Sequence, residues 1–262
     1  MRLQTLLKAL PFAKVQGENT NPEIISIEQD SRKVKQGSLF VCIEGEHFDG
    51  HSFAQTAEAN GAVAIVAQKP IDVNVPVIYV RDTVRALAVL SARFYEFPSE
   101  RLYMIGVTGT NGKTTVTHML DHLFHEFGKN TGLIGTLYMK IGKETLPTVN
   151  TTPDSLTLQK TYRKMLEQGV EIVNMEVSSH ALKNGRVMGT DFDVAVFTNL
   201  SQDHLDFHGT MEEYKNVKGL LFSQLGNRFG TKRLKFAVLN ADDPVSTDYL
   251  SVTSAHILLY GI

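Results

Sequence analysis

The chain has 262 residues, 42% of them hydrophobic, and its 26 basic and 28 acidic side chains leave a formal net charge of -2. That apolar content suits one large domain or two modest ones, and the interspersed, balanced charge argues against a nucleic-acid face or a membrane-attracting surface. A single cysteine, Cys42, excludes an intramolecular disulfide framework, and no stretch approaches the ~18 apolar residues of a membrane span.

The opening stretch, MRLQTLLKALPFAKVQGEN, is too short in its apolar part for a signal peptide and lacks a small-residue cleavage site. A cytoplasmic monomer is the default expectation. Residues 1–98 read as a first unit. SLFVCIEG (38–45), AVAIVAQ (62–68) and PVIYV (76–80) predict short strands, and the apolar neighbours of Cys42 mark it as a core residue rather than a nucleophile. HSFAQTAEANG predicts a helix closed by Gly61, and DTVRALAVLSARFYEF predicts a second helix with Asp82 as N-cap, running to a stop at Pro98. EFPSE is the expected boundary.

Residues 99–262 read as a second unit. RLYMIGVTG predicts a strand that runs into glycines and then a helix from about Thr114. Segments 171–179, 192–200 and 235–243 predict further buried strands, 154–168 and 211–225 predict helices, and ILLYGI predicts one more strand whose sheet would be incomplete. This alternation predicts an α/β fold with a mainly parallel sheet covered on both faces. Ligands of such sheets sit at the C-terminal strand ends, where TGTNGKTT, EVSSH, TNLSQDHLDFH and NADDP fall.

TGTNGKTT misses the common phosphate-loop spacing G-x-x-x-x-G-K-[ST]: Val107 stands where the first glycine belongs, with Gly106 one place early and Gly109 two places late. The physical requirements remain. Gly109 and Gly112 can adopt angles closed to other residues, the next helical turn offers unpaired N–H groups, Lys113 can reach terminal phosphates, and Thr114 or Thr115 can place a hydroxyl on Mg²⁺. Along the following helix, Val116, Leu120, Leu123 and Phe127 are expected to form the apolar side, with His118, His122 and His125 on the neighbouring flank of an exposed or interdomain face. In EVSSH, Ser179 and His180 lack the G-x-S-x-G nucleophile pattern, whereas Glu176 at a strand tip can hold Mg²⁺. QDHLDFH, with Asp203, His204, Asp206 and His208, is either a polar helix start or the source of one ligand, His204, to a second divalent ion.

In family order, DSRKVKQGSLFVCIEGEHFDGHSF, GTNGKTT, NTTPDS, MEVSSHAL, NLSQDHLDFHGTMEEYKNVKGLLF and NADDP resemble the Mur ligases of peptidoglycan synthesis, over essentially the whole chain. The resemblance implies a small N-terminal α/β domain (1–98) that binds the UDP end of the substrate through Ser31, Glu46, His47 and Phe48, and a P-loop-type ATP-binding domain (99–262). There, Asn150, Thr151, Thr152, Ser178, Asn184 and Arg186 would hold the muramoyl peptide. Asn184 stands where the family often carries a glutamine, so a weaker or water-mediated contact follows. Gly109, Thr110, Asn111, Gly112, Lys113, Thr114 and Thr115 would take ATP, with Asn240 and Asp243 on the adenosine side. Thr114, Glu176, His204 and Lys218 would serve Mg²⁺, Lys218 as the lysine the family carbamylates, and Lys113, Glu176, His204 and Lys218 would be catalytic.

The reaction so implied joins a diamino acid, meso-2,6-diaminopimelate ahead of L-lysine, to the D-glutamate of UDP-N-acetylmuramoyl-L-alanyl-D-glutamate through an acyl phosphate. Family members continue into a C-terminal amino-acid-binding domain, so the expectation for these 262 residues alone is little or no ligase activity. Two other readings stand beside it: a P-loop ATPase or phosphotransferase of another pathway, and a non-catalytic binder of UDP-sugar peptides.

Overall fold

The apolar runs assemble into two separate sheets. In a computed structural model, residues 1–17, 21–45, 48–227 and 233–262 are described, and they divide into units Met1–Phe97 and Pro98–Ile262.

The first unit contains α1 (Leu3–Leu7), β1 (Lys14–Gln16), β2 (Ser26–Glu28), β3 (Ser38–Val41), α2 (Ala54–Ala59), β4 (Ala62–Ala67), β5 (Val77–Tyr79) and α3 (Thr83–Phe94). Its sheet runs β1-β5-β4-β3-β2, parallel except for β1 against β5. Cys42 is fully buried beside Phe40, Ile65 and Val77, and burial pushes its thiol up to about 12, which fits a core residue and not a nucleophile. Asp82 caps α3 as expected, accepting from the Arg85 N–H at 2.9 Å. The helix ends before Pro98, however, because its last carbonyls close on themselves: Phe97 N–H donates to Ala92 and Glu96 N–H to Arg93. This is a Schellman closure with a non-glycine, Glu96, in the left-handed region at φ 63°.

The second unit contains β6 (Tyr103–Thr108), α4 (Lys113–Glu126), β7 (Thr131–Ile134), β8 (Met139–Ile141), β9 (Glu144–Leu146), α5 (Ser155–Glu167), β10 (Ile172–Glu176), α6 (Ser179–Lys183), β11 (Val194–Phe197), α7 (Leu205–His208), α8 (Met211–Ser223), β12 (Phe236–Asn240), α9 (Ser246–Val252) and β13 (His256–Tyr260). The sheet order is β13-β12-β11-β6-β10-β7-β8-β9. It is parallel from β13 to β7, and β8 and β9 add an antiparallel edge that the sequence reading did not include. Beyond β6 the chain first crosses to β7 on one side and later reaches β11 on the other, so β10, β6 and β11 surround the point where the strand order reverses. A crevice opens outside their carboxyl ends for that reason.

One expectation is overturned. Thr117 is the buried residue of α4, while Leu123 and Phe127 are 50% and 75% exposed. The glycine loop before it fixes the rotation of this helix by aiming Thr114 at Glu176, and Thr117 and Asp121, on the same side one and two turns later, then face the sheet. The apolar side expected at Leu123 and Phe127 therefore points outward. His118 sits in edge contact with Tyr138 rather than on an exposed flank.

Candidate active site

The loop after β6 is tied down from β11. Thr110 N–H donates to Asn199 O (2.8 Å), Asn111 N–H to Asn199 Oδ1 (3.0 Å), and the Thr198 hydroxyl to Asn111 O (2.6 Å). A Cβ on Gly109 would collide with the Thr198 hydroxyl, and Gly112 starts α4 at φ 85°, so both glycines are required by geometry and not by flexibility alone. Thr110 Oγ1 also meets Ser201 and the Tyr214 hydroxyl.

Two lysines converge on this loop. Lys113 Nζ donates to the carbonyls of Gly109 (2.9 Å) and Thr110 (2.8 Å). Lys218 Nζ, from α8, donates to the same Gly109 carbonyl at 2.9 Å and lies 4.5 Å from the Tyr214 ring centroid. Lys218 is 1% exposed. Burial, reinforced by the Lys113 ammonium and opposed by Asp203, pulls its pKa down to about 7. Lys113 is lowered as well, again chiefly by burial, against the pull of Glu176 and Asp203.

Glu176 is buried at the end of β10. Its Oε1 accepts the Thr136 N–H (2.8 Å), and its Oε2 accepts the hydroxyls of Thr114 (2.9 Å) and Thr136 (3.1 Å). His204, which lines the same cavity, holds a left-handed φ of 52° at the start of α7. Its ring meets His180 edge-on at 4.9 Å, and His180 stacks on Phe207 at 4.0 Å. Burial first, then neighbouring positive charge, lowers the pKa of both His180 and His208. The buried Ser179 hydroxyl pairs with His208 Nε2 at 2.9 Å, but among the described residues His208 Nδ1 has no hydrogen-bond partner and no third group completes a hydrolase triad there.

A cavity of about 450 Å³ joins these groups. Among the residues anticipated from sequence, Thr110 through Thr115, Asn150, Thr151, Glu176, Ser178, Arg186, His204 and Lys218 line it. Gly109 lies behind it and contributes a carbonyl. Four further anticipated residues fall outside the lining. Thr152 is fully buried and bonds the Glu176 carbonyl and the Ser178 N–H, Asn184 is exposed at the end of α6, and Asn240 ties Thr198 O to Asp242 N–H. Asp243 likewise accepts from the Leu200 and Val245 N–H groups. Ser31 and Phe48 line a separate cavity of about 350 Å³ in the first unit with Arg32, Phe40 and Phe53. Glu46 and His47 lie outside the described residues.

Thr136, Tyr214, Thr198 and Asn199 were not anticipated. Only the TN of TNLSQDH stood at a predicted strand end, where loop-holding groups belong; Thr136 and Tyr214 carry no local signal. Among the described residues there is no group of three or more His, Cys, Asp or Glu side chains able to hold a metal ion. The oxygen donors present instead suit a hard cation that takes one carboxylate and completes its shell with phosphate and water, the habit of Mg²⁺.

Residues 107–262 match the family described as Mur ligase middle domain, and residues 23–95 that described as Mur ligase family, catalytic domain. The chain is 59% identical over its whole length to the UDP-N-acetylmuramoyl-L-alanyl-D-glutamate--2,6-diaminopimelate ligase of Geobacillus thermodenitrificans, covering 53% of that protein. It is 58% identical to the ligase of the same name from Listeria monocytogenes, again covering 53%. A solved structure of a ligase of that name superposes with a TM-score of 0.83 at 30% identity, over 100% of this chain and 53% of the other. MurF from Acinetobacter baumannii shares the fold, at 22% identity and a TM-score of 0.67 over 98% of this chain and 52% of that one. The chain thus spans about half the length of the curated relatives it matches.

Proposed function

The chain belongs to the Mur ligase family, and from that premise we propose that it carries the UDP-substrate and ATP sites of a ligase acting on UDP-N-acetylmuramoyl-L-alanyl-D-glutamate. The enzyme joins a diamino acid to the D-glutamate of that substrate, at the expense of ATP. meso-2,6-Diaminopimelate is preferred to L-lysine, a choice supported by the names of the relatives 58–59% identical to it. The observation that carries the reading is the single cavity in which the phosphate loop, Glu176, Asn150, Thr151, Arg186 and Lys218 meet.

Residues 109–115 cradle the ATP phosphates, and Lys113 turns its ammonium from the Gly109 and Thr110 carbonyls to the terminal phosphate. Asn150, Thr151, Ser178 and Arg186 hold the muramoyl peptide, while Ser31 and Phe48 serve the uridine diphosphate end. Thr114, Glu176 and His204 would hold Mg²⁺, which would supply neutralisation of phosphate charge. The glutamyl carboxylate attacks the terminal phosphorus, giving an acyl phosphate and ADP; the diamino acid's amine then attacks that carbonyl, and phosphate leaves with the bonding pair. Lys218 joins as a carbamate. A pKa near 7 keeps a large share of its amine neutral at neutral pH, so it can attack CO₂ and release one proton. The resulting anion replaces a cation that would repel Mg²⁺.

Calorimetric titration separates this reading from its rivals. The ligase reading expects the chain to bind both UDP-N-acetylmuramoyl-L-alanyl-D-glutamate and Mg-ATP. Binding of Mg-ATP without the UDP ligand would instead indicate an ATPase or phosphotransferase acting in another pathway, and binding of the UDP ligand without Mg-ATP a non-catalytic binder.

A further inference from the structure

The donors around Glu176 form a chain with a direction. A carboxylate only accepts hydrogen bonds, and a threonine hydroxyl has one proton to give. Thr136 gives its hydroxyl proton to Glu176 Oε2, so in the 3.0 Å contact between the Thr136 and Thr151 hydroxyls the proton belongs to Thr151. The order of donation is Thr151 to Thr136 to Glu176. Thr136 is held there by its own N–H on Oε1 and by the absence of a side chain on Gly135, where a Cβ would strike the same oxygen. Thr136 itself is exposed and lines the cavity, so its hydroxyl is not a packing element.

We propose that Thr136 is a positioning residue that couples the UDP-substrate site at Thr151 to the ion and nucleotide site at Glu176, an inference that rests on the ligase reading above. The sign follows from the direction of donation. With Glu176 negative, the Thr136 oxygen is polarised into a strong acceptor and retains the Thr151 proton, because successive hydrogen bonds reinforce one another. A cation at Glu176 weakens that polarisation and frees the Thr151 hydroxyl to donate to an anionic oxygen of the substrate. Mg-nucleotide therefore raises affinity for the UDP ligand, and by reciprocity the UDP ligand raises affinity for Mg-nucleotide.

The test is calorimetry of UDP-N-acetylmuramoyl-L-alanyl-D-glutamate binding to the whole chain, with and without Mg²⁺ and a non-hydrolysable ATP analogue. The unsubstituted chain should show a gain of about fivefold or more. Thr136→Val, which keeps the N–H and deletes the hydroxyl, should bind the UDP ligand more tightly than the unsubstituted chain in the absence of nucleotide and should lose most of the gain. Thr136→Ala should behave like Val, and Thr136→Ser like the unsubstituted chain. General damage to the site would weaken binding, opposite to the change expected of Val. An unchanged gain in both Val and Ala overturns the coupling role while leaving the ligase reading in place, as does absence of any gain in the unsubstituted chain. Failure of the unsubstituted chain to bind the UDP ligand overturns both.

Discussion

At the N-terminal end of the eight-stranded sheet, Asp193 is 1% exposed and accepts from Lys235 (3.0 Å), Arg233 (3.2 Å) and the Met104 N–H (2.8 Å). At the C-terminal end, Glu176 is equally buried, yet its donors are two hydroxyls and an N–H, all neutral. The lysines differ in the same sense. Lys235 lies between Asp191 and Asp193 at 3.0 Å from each, whereas Lys218 faces a carbonyl and an aromatic ring. Charge compensated inside the protein ties strands together. Charge left without an opposite partner, beside a cavity, is available to a ligand, and for Lys218 the cost appears as a pKa near 7.

The sharpest way to break this contrast is at the compensated end. Asp193→Ala breaks the buried pair with Lys235, leaving that lysine with Asp191 alone, and strips the Met104 N–H of its acceptor; it should cost about 3–5 kcal/mol in denaturant unfolding, with Mg-ATP affinity retained below the transition. A stable Asp193→Ala chain with weakened nucleotide binding would reverse the assignment of the two ends. Lys218 offers the next largest effect, read through pH. From about pH 7 upward the folded chain releases the Lys218 proton, while the unfolded chain keeps it to about 10.5, so the unfolded state binds more protons and stability rises with pH across that window. Lys218→Met should remove this slope, worth at most a few kcal/mol by the relation of about 1.4 kcal/mol per unit, when unfolding is measured from pH 6.5 to 9.5.

Glu176→Gln should weaken Mg²⁺-dependent ATP binding about tenfold, about 1.4 kcal/mol, while changing stability less than Asp193→Ala does. Equal loss of stability in the two variants would erase the distinction between a structural and a ligand-facing carboxylate. The smallest effect belongs to the first unit, where Ser31→Ala should weaken the UDP ligand by roughly 0.5–1.5 kcal/mol without altering Mg-ATP affinity in calorimetry.

Much of this arrangement was legible because the signals were local. Asp82 caps its helix through its own side chain, and Gly109, Gly112 and Lys113 act within a loop of a few residues. The β8–β9 hairpin was not read from the sequence, although MKIGKETL carries a two-residue turn with Gly142 at φ 58°, suited to a tight hairpin. Other features were not legible. The inward side of α4 depends on Glu176, fifty or more residues away in sequence, and the apolar stripe Leu123–Phe127 pointed the wrong way. Thr152 and Asn240 stand in segments with a site-like composition, but their polar groups are committed to the backbone, of Glu176 at the end of β10 and of Thr198 just after β11.

The sequence by itself determined the two α/β units, the strand-to-helix glycine loop and the set of residue types gathered at the strand ends, because strand and helix patterns and glycine angles depend on near neighbours. Only the tertiary structure decided which carboxylate is compensated and which is open, that Lys218 is buried on the Gly109 carbonyl, and that Thr136 bridges Thr151 and Glu176. The reason is physical: desolvation and hydrogen-bond competition depend on what the fold brings within a few ångströms, and those partners lie as far as 109 residues apart in the chain.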